Sequence, residues 1–247
     1  MSVSHAELLI SLLVDRLAGD RHVAVGAASP IPGAAALLAQ AEFGAESQAP
    51  MQVTILHSRR YNSFTEGSRE LFDCAAQGRI DSFFLGGVQI DGQANINLVG
   101  IGDYPTMKRR FPGSFGSALL YYVVPKVILF REEHSPRSLV PKVDFISAPG
   151  SSEAGVYRPG GPSALVTGRA VFAFDRDEKR FRLEQIHPGE TAEGIKAATG
   201  FDYDPGQPSI TPQPNAARLD LLRRRIAPKV AEFYPEFAAR EWGAVAA

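Results

Sequence analysis

The sequence is poor in the residues and patterns on which several classes of protein depend. Its 247 residues include one cysteine, Cys74, so neither an intramolecular disulfide nor a cysteine-based metal site can form. The formal net charge is −1, which leaves no overall field to attract nucleic acid or an anionic membrane. The apolar run near the N-terminus is interrupted by Asp15 and Arg16, is too short to span a bilayer and has no basic leader. We therefore expect a cytoplasmic protein.

Signatures of several common catalytic sites are also missing. The sequence has no Ser–His–Asp or Cys–His signature, no phosphate loop of the Walker type and no His/carboxylate spacing typical of a metal site. The five histidines are scattered along the chain. We expect no metal ion and no bound cofactor.

Short apolar segments alternate with helical patterns in the N-terminal third of the chain. The pattern predicts strands at 22–26, 52–56 and 80–85, and helices at 4–18, 34–41 and 69–77. Near-continuous apolar runs are typical of strands that are covered on both faces. We therefore predict an α/β fold with an open, largely parallel sheet flanked by helices.

The rest of the chain continues in the same style. Strands are predicted at 97–101, 127–130 and 143–146, a β-hairpin from 164–174 and 180–186, and helices at 117–122, 190–199 and 216–226. No shift in composition and no internal repeat marks a boundary. We predict a single domain over residues 1–247.

Two glycine-rich stretches are candidate ligand-binding segments. Gly86 and Gly87 follow a predicted strand directly, so the backbone there can approach a ligand closely. Residues 113–116 precede a predicted helix and could offer backbone N–H groups to an anion or an oxyanion. Each stretch is also compatible with a tight structural turn, and the residues alone leave both readings open.

The same residues carry a resemblance to a known family. The run Leu85-Gly86-Gly87-Val88-Gln89-Ile90-Asp91, followed by Ala94-Asn95-Ile96-Asn97, resembles the signature of glutaconate-type CoA-transferase β subunits. Further similar motifs lie at 101–104, 108–111, 113–116, 142–146, 187–189 and 198–201. The resemblance covers most of the chain, and many motifs in order are more specific than one glycine pair.

The resemblance implies a subunit with the CoA-transferase β-subunit fold that pairs with a related α subunit, as a heterodimer or a heterotetramer. The active site would lie near the subunit interface and act on acyl-CoA, so that coenzyme A arrives as part of the substrate. In transferases of this family a glutamate attacks the thioester and then carries CoA as a glutamyl thioester, which only a carboxylate can do. Neither nucleic acid, a membrane nor a metal is an expected partner.

The sequence departs from the family at two positions of the implied site. His57, followed by Ser58, stands at the end of the second strand in place of the glutamate. An imidazole can act as a base but cannot form the exchangeable CoA adduct. In the glycine loop, Gly113-Ser114-Phe115-Gly116, the bulky Phe115 replaces a glycine.

These observations select the candidate site residues. His57 and Ser58 are expected to face the thioester, and Glu66 is a carboxylate in the following loop that could reach the site. Candidate residues for binding substrate or CoA are Gly86, Gly87, Gln89, Gly113, Ser114, Phe115 and Gly116.

The two departures from the family pattern leave three candidate functions. The first is hydrolase-like chemistry on acyl-CoA, as the resemblance extends to the steroid-ring-opening CoA hydrolases, in which the catalytic glutamate comes from the α partner. The second is a conventional 3-oxoacid or glutaconate type CoA-transferase that uses another carboxylate, such as Glu66. The third is a non-catalytic structural subunit that completes a site built by the α partner.

Overall fold

The computed structural model describes residues 2–44 and 50–243. These residues form two compact units. The first unit contains the chain up to Thr65, the short segment Ile80–Phe83 and the chain from Pro212 onward, and the second contains Glu66–Arg79 and Phe84–Thr211. The single domain expected from the composition stays a prediction.

Helices and short strands alternate along the chain. The helices are α1 (His5–Arg16), α2 (Pro30–Phe43), α3 (Ser68–Ala76), α4 (Ser117–Val123), α5 (Ala192–Ala198), α6 (Ala216–Leu221), α7 (Ala227–Phe233) and α8 (Pro235–Trp242), with a π-helical turn at Leu222–Ile226. The strands are β1 (His22–Val25), β2 (Gln52–Ile55), β3 (Ser82–Leu85), β4 (Gln89–Ile90), β5 (Ile96–Asn97), β6 (Gly100–Ile101), β7 (Arg109–Arg110), β8 (Lys126–Arg131), β9 (Pro162–Thr167), β10 (Ala170–Asp175), β11 (Arg180–Ile186) and β12 (Ser209–Ile210).

The first unit is built on parallel strands. β1 pairs in parallel with β2 on one side and with β3 on the other. Every residue of β1 is buried, as a strand covered on both faces must be. Helix α1 begins with a capping box, in which the Glu7 N–H donates to Ser4 Oγ at 3.2 Å and the Ser4 N–H donates to Glu7 Oε2 at 3.0 Å.

The second unit carries a mixed sheet. Its strands lie in the order β8-β9-β10-β11-β12, with β8–β9 and β11–β12 parallel and β9–β10 and β10–β11 antiparallel. Two small antiparallel pairs, β4–β5 and β6–β7, lie outside it. Counting both units, parallel pairs outnumber antiparallel pairs in the main strand set, so the predicted α/β class with a largely parallel sheet is confirmed.

Several predicted elements need correction. The segment 164–174 is two strands, β9 and β10, rather than one arm of a hairpin, although the hairpin of β10 with β11 is confirmed. The strand predicted at 143–146 is wrong. The Val143 N–H donates to Asp91 Oδ2 at 3.4 Å and the Asp144 N–H donates to Gln89 Oε1 at 3.0 Å, so side chains take the donors that a strand ladder would use.

The pKa values of two side chains in the second unit are strongly lowered. Ser135, together with Arg131 and Arg137, lowers the pKa of Glu133 to about 2, against the opposing effect of burial. Burial lowers the pKa of His134 to about 4, so its ring is neutral at pH 7.

Within the ranges 2–44 and 50–243, no helix combines the length and apolarity needed to cross a bilayer. The same ranges contain no group of three His, Cys, Asp or Glu side chains arranged to hold a metal ion.

Candidate functional site

The turn after β2 exposes one candidate residue and buries the next. His57 is exposed, so its imidazole is not turned into the core. The side chain of Ser58 is only 3% exposed. The Ser58 Oγ accepts hydrogen bonds from the N–H groups of Arg60 at 3.1 Å and Tyr61 at 3.0 Å. The Ser58 hydroxyl therefore shapes this turn from within.

The C-terminal helical segment reaches the same turn. The ring of Tyr234 stacks on the ring of His57, with centroids 5.5 Å apart and planes 8° from parallel. The Tyr234 hydroxyl donates to the carbonyl oxygen of Ala27 at 2.6 Å and accepts from the Ser29 N–H at 3.0 Å. Tyr234 thus links the imidazole after β2 to the loop between β1 and α2.

A carboxylate that sequence reasoning missed also lies at this turn. The Ser58 hydroxyl donates to Glu232 Oε2 at 3.4 Å. Glu232 belongs to α7 and is exposed. No local signal marks it, because the contact joins residues 174 positions apart in the chain.

Gln89, in the second unit, has its side-chain oxygen fully engaged. The residue is 6% exposed. Its Oε1 accepts from Asn97 Nδ2 at 2.7 Å and from the Asp144 N–H at 3.0 Å. The neighbouring Gly87 carbonyl oxygen accepts from Arg131 Nη1 at 3.0 Å. These bonds fix the backbone that follows the glycine pair, whose members are half-buried (Gly86) and buried (Gly87).

The glycine loop at 113–116 adopts a strained backbone. Ser114 has a φ of 77° and Gly116 a φ of 72°, in the left-handed region that glycine adopts most easily. A Cβ on Gly116 would collide with the ring of Phe72. Phe115 is 79% exposed and its ring lies 5.7 Å from that of Phe72. The ring of Phe115 therefore stands out from the loop.

Glu66 lies two residues before α3, which begins at Ser68. It is exposed, and its carboxylate pairs with Arg69 at 3.3 Å. Its backbone N–H donates to Glu70 Oε2 at 3.0 Å. His57 and Ser58 lie in the first unit, whereas Glu66, the glycine pair, Gln89 and the loop at 113–116 lie in the second. The structure brings His57 and Ser58 together with Tyr234 and Glu232.

Comparison with known proteins identifies a family that matches this chain and several similar proteins. The model of the family described as Coenzyme A transferase matches residues 3–198. One subunit of the glutaconate CoA-transferase of Acidaminococcus fermentans is 33% identical over 152 residues, which cover 59% of this chain and 56% of that protein. The crystal structure of that enzyme, at 22% identity, has the same fold, with a TM-score of 0.78 over 98% of both chains.

Two further similarities involve other chemistries. The cholesterol ring-cleaving hydrolase IpdB subunit of Rhodococcus jostii is 30% identical over 175 residues, 65% of each chain. An alanine variant of the decarboxylase AibA/AibB is 26% identical, with a TM-score of 0.73 over 90% of this chain and 95% of that one. By sequence, the match spans between about half and two thirds of the length of the two curated relatives.

Proposed function

The chain belongs to the Coenzyme A transferase family, and we propose that it is the β-type subunit of an enzyme that acts on acyl-CoA thioesters by hydrolysis. The partner is an α-type subunit, since the relatives are subunits of glutaconate CoA-transferase and of the IpdAB hydrolase. Coenzyme A enters as part of the substrate. The observation that carries the proposal is the exposed imidazole of His57 at the end of β2.

The chemistry of the two reactions explains why this residue matters. In transfer, a carboxylate oxygen attacks the thioester carbon, the C–S bond breaks, and CoA is then held as a new thioester on that carboxylate. An imidazole has no carbonyl carbon on which to hold CoA. In hydrolysis, an imidazole takes a proton from water as the C–O bond forms. The C–S bond breaks, the thiolate receives the proton, and the products are a carboxylic acid and free CoA.

Two neighbours support this role for His57. The ring of Tyr234 restricts the imidazole by stacking against it. The Ser58 hydroxyl holds the turn through two backbone N–H groups. Both act as positioning residues in the proposal.

The test uses this chain purified in complex with its α-type partner and glutaconyl-CoA as the probe. Free thiol, CO₂ and transfer to acetate are measured in the same reactions. We expect thiol release that does not depend on acetate. We also expect the rate of this release to fall at least 100-fold in His57→Gln. Acetate-dependent transfer with ping-pong kinetics would refute hydrolysis.

Borohydride trapping separates the alternatives further. A conventional transferase leaves a glutamyl thioester, which borohydride reduces to an alcohol that mass spectrometry locates, at Glu66 or at another glutamate of this chain. A His57→Gln complex with full activity would instead identify the chain as a non-catalytic structural subunit. Light scattering of the same complex distinguishes a heterodimer from a heterotetramer.

Decarboxylation is the second candidate function, favoured by the similarity to the decarboxylase AibA/AibB over 90% of this chain. In that reaction the C–C bond to a free carboxylate of the acyl group breaks and CO₂ leaves. The electron pair passes to the carbon conjugated with the thioester and is then protonated. The product is still a thioester, so CO₂ release from glutaconyl-CoA without thiol release would establish decarboxylation in place of hydrolysis.

A further inference from the structure

We infer that the β6–β7 hairpin binds the nucleotide end of coenzyme A, an inference that rests on the proposed function. The hairpin carries three consecutive cations, Lys108, Arg109 and Arg110, and all three are exposed. None of them forms an ion pair with a carboxylate among residues 2–44 and 50–243. Within the hairpin, Asp103 is the acidic residue, and it too is exposed.

The second basic cluster of the chain, unlike the first, forms ion pairs with carboxylates. In Arg223-Arg224-Arg225, Arg223 pairs with the buried Glu7 at 2.6 Å and Arg224 pairs with Asp220 at 2.7 Å. The Arg223 pair, with its buried partner Glu7, stabilises the fold of the first unit, whereas the Arg224–Asp220 pair is exposed. In the described part of the chain the cations of the hairpin form no such ion pairs, and neighbouring like charges repel one another until an anion neutralises them.

The charge of the ligand matches this surface. Coenzyme A carries a diphosphate and a 3′-phosphate at its nucleotide end. Arginine binds phosphate oxygens in bidentate fashion, and lysine binds them as a point charge. Consecutive cations, which β7 presents on both of its faces, are therefore suited to the separate phosphates at that end.

Aromatic rings accompany the cations. Tyr104, in the loop of the hairpin, is 60% exposed and lies 5.3 Å from the ring of Phe145. The guanidinium of Arg109 lies 5.3 Å from the centroid of the Phe111 ring. An exposed ring on the same hairpin as the cations offers a face on which a nucleobase can stack while its phosphates are neutralised.

Hydrogen bonds connect the hairpin to the segment after the glycine pair. Asn97 Nδ2 donates to the Gly100 carbonyl oxygen at 2.6 Å and to Gln89 Oε1 at 2.7 Å. The Gly102 N–H donates to Asp144 Oδ2 at 2.8 Å, beside Phe145. The cations and the aromatic pair are thus fixed on the same framework as Gln89.

The glycine loop follows the cations closely. Gly113 comes three residues after Arg110, so their Cα atoms are at most about 11 Å apart. A ligand whose thioester lies near the glycine loop can therefore extend its nucleotide end toward the hairpin.

The test measures the binding of coenzyme A and of adenosine 3′,5′-bisphosphate by calorimetry, with the chain in complex with its α-type partner. The test variant replaces Lys108, Arg109 and Arg110 with glutamine, and the control variant replaces Arg224 and Arg225 with glutamine. We expect the test variant to bind both probes at least tenfold more weakly and with a smaller dependence on salt. We expect the control to bind as the wild type does, and thermal unfolding verifies that each variant is folded.

The outcomes separate this inference from the proposed function. If the wild type binds coenzyme A and the test variant binds it equally well, the inference is overturned and the proposed function stands. If the wild type does not bind coenzyme A, both fail. Displacement of coenzyme A by a single-stranded oligonucleotide at equal concentration would show a general polyanion surface and overturn the inference. Should the triple variant not assemble, Arg110→Gln alone is expected to weaken binding about threefold, and no change would count against the inference.

Discussion

Replacing Tyr234 with phenylalanine separates the two things that this side chain does. The ring that stacks on His57 remains, and only the hydroxyl is lost. That hydroxyl donates to the Ala27 carbonyl oxygen at 2.6 Å and accepts from the Ser29 N–H at 3.0 Å. Tyr234→Phe therefore releases the loop between β1 and α2 without removing the stack.

The expected loss of stability follows from these two bonds. Each contributes about 1 kcal/mol net, so their loss costs about 2 kcal/mol. In a chain of this length, 1 kcal/mol corresponds to roughly 2–4 °C in Tm, which gives a decrease of about 4–8 °C. Burial raises the pKa of Tyr234, although the bond from Ser29 lowers it in part. The hydroxyl therefore stays protonated at pH 7 and both bonds are present there.

The assay is thermal unfolding followed by circular dichroism, together with turnover of the complex. Tyr203→Phe is the matched control, because Tyr203 is also half-buried and its ring packs on Phe172 and Phe201. Its hydroxyl makes no hydrogen bond within the described part of the chain. A decrease in Tm no larger than that of the control would refute the reasoning. Tyr234→Leu removes the stack as well, and we expect turnover to fall only in that variant.

Three more outcomes are expected. Gly116→Ala should destabilise the chain by at least about 1 kcal/mol more than Gly155→Ala in denaturant unfolding. Both positions have positive φ, but only at Gly116 does a Cβ meet a ring, that of Phe72. Glu133→Gln should lower the free energy of unfolding at pH 7. The difference from the wild type should disappear as the pH falls from about 4.5 toward 2, because the pKa of Glu133 is lower in the folded state than in the unfolded state. In an NMR titration the ring resonances of His134 should stay constant from pH 8 to about pH 5. The neutral ring should contribute its full stabilisation above pH 6.5, and this contribution should decrease as the pH falls to 4. Equal stability of the two glycine variants would contradict the first prediction. A Glu133→Gln effect that persists at pH 2 would contradict the second, and titration of the His134 ring near pH 6.5 would contradict the third.

Local patterns determined the α/β class and the approximate position of many elements. The largely apolar run at 22–26 predicted β1 because strands covered on both faces are near-continuously apolar. The ordered motifs indicated the family, and the resemblance predicted that His57 stands where the family carries a glutamate. These inferences depend only on residue identity and short spacing.

Tertiary contacts decided the rest. The apolar pattern at 143–146 predicted a strand, but Asp91 and Gln89 accept hydrogen bonds from its backbone N–H groups. The sequence predicted Ser58 as a catalytic residue that faces the thioester, and the fold buries it and makes its Oγ an acceptor for two backbone N–H groups of the turn. The surroundings of His57 come from a helical segment more than 170 residues away in the chain. Spacing along a chain reports periodicity and burial, whereas the partners of a side chain depend on which distant segments the fold brings beside it.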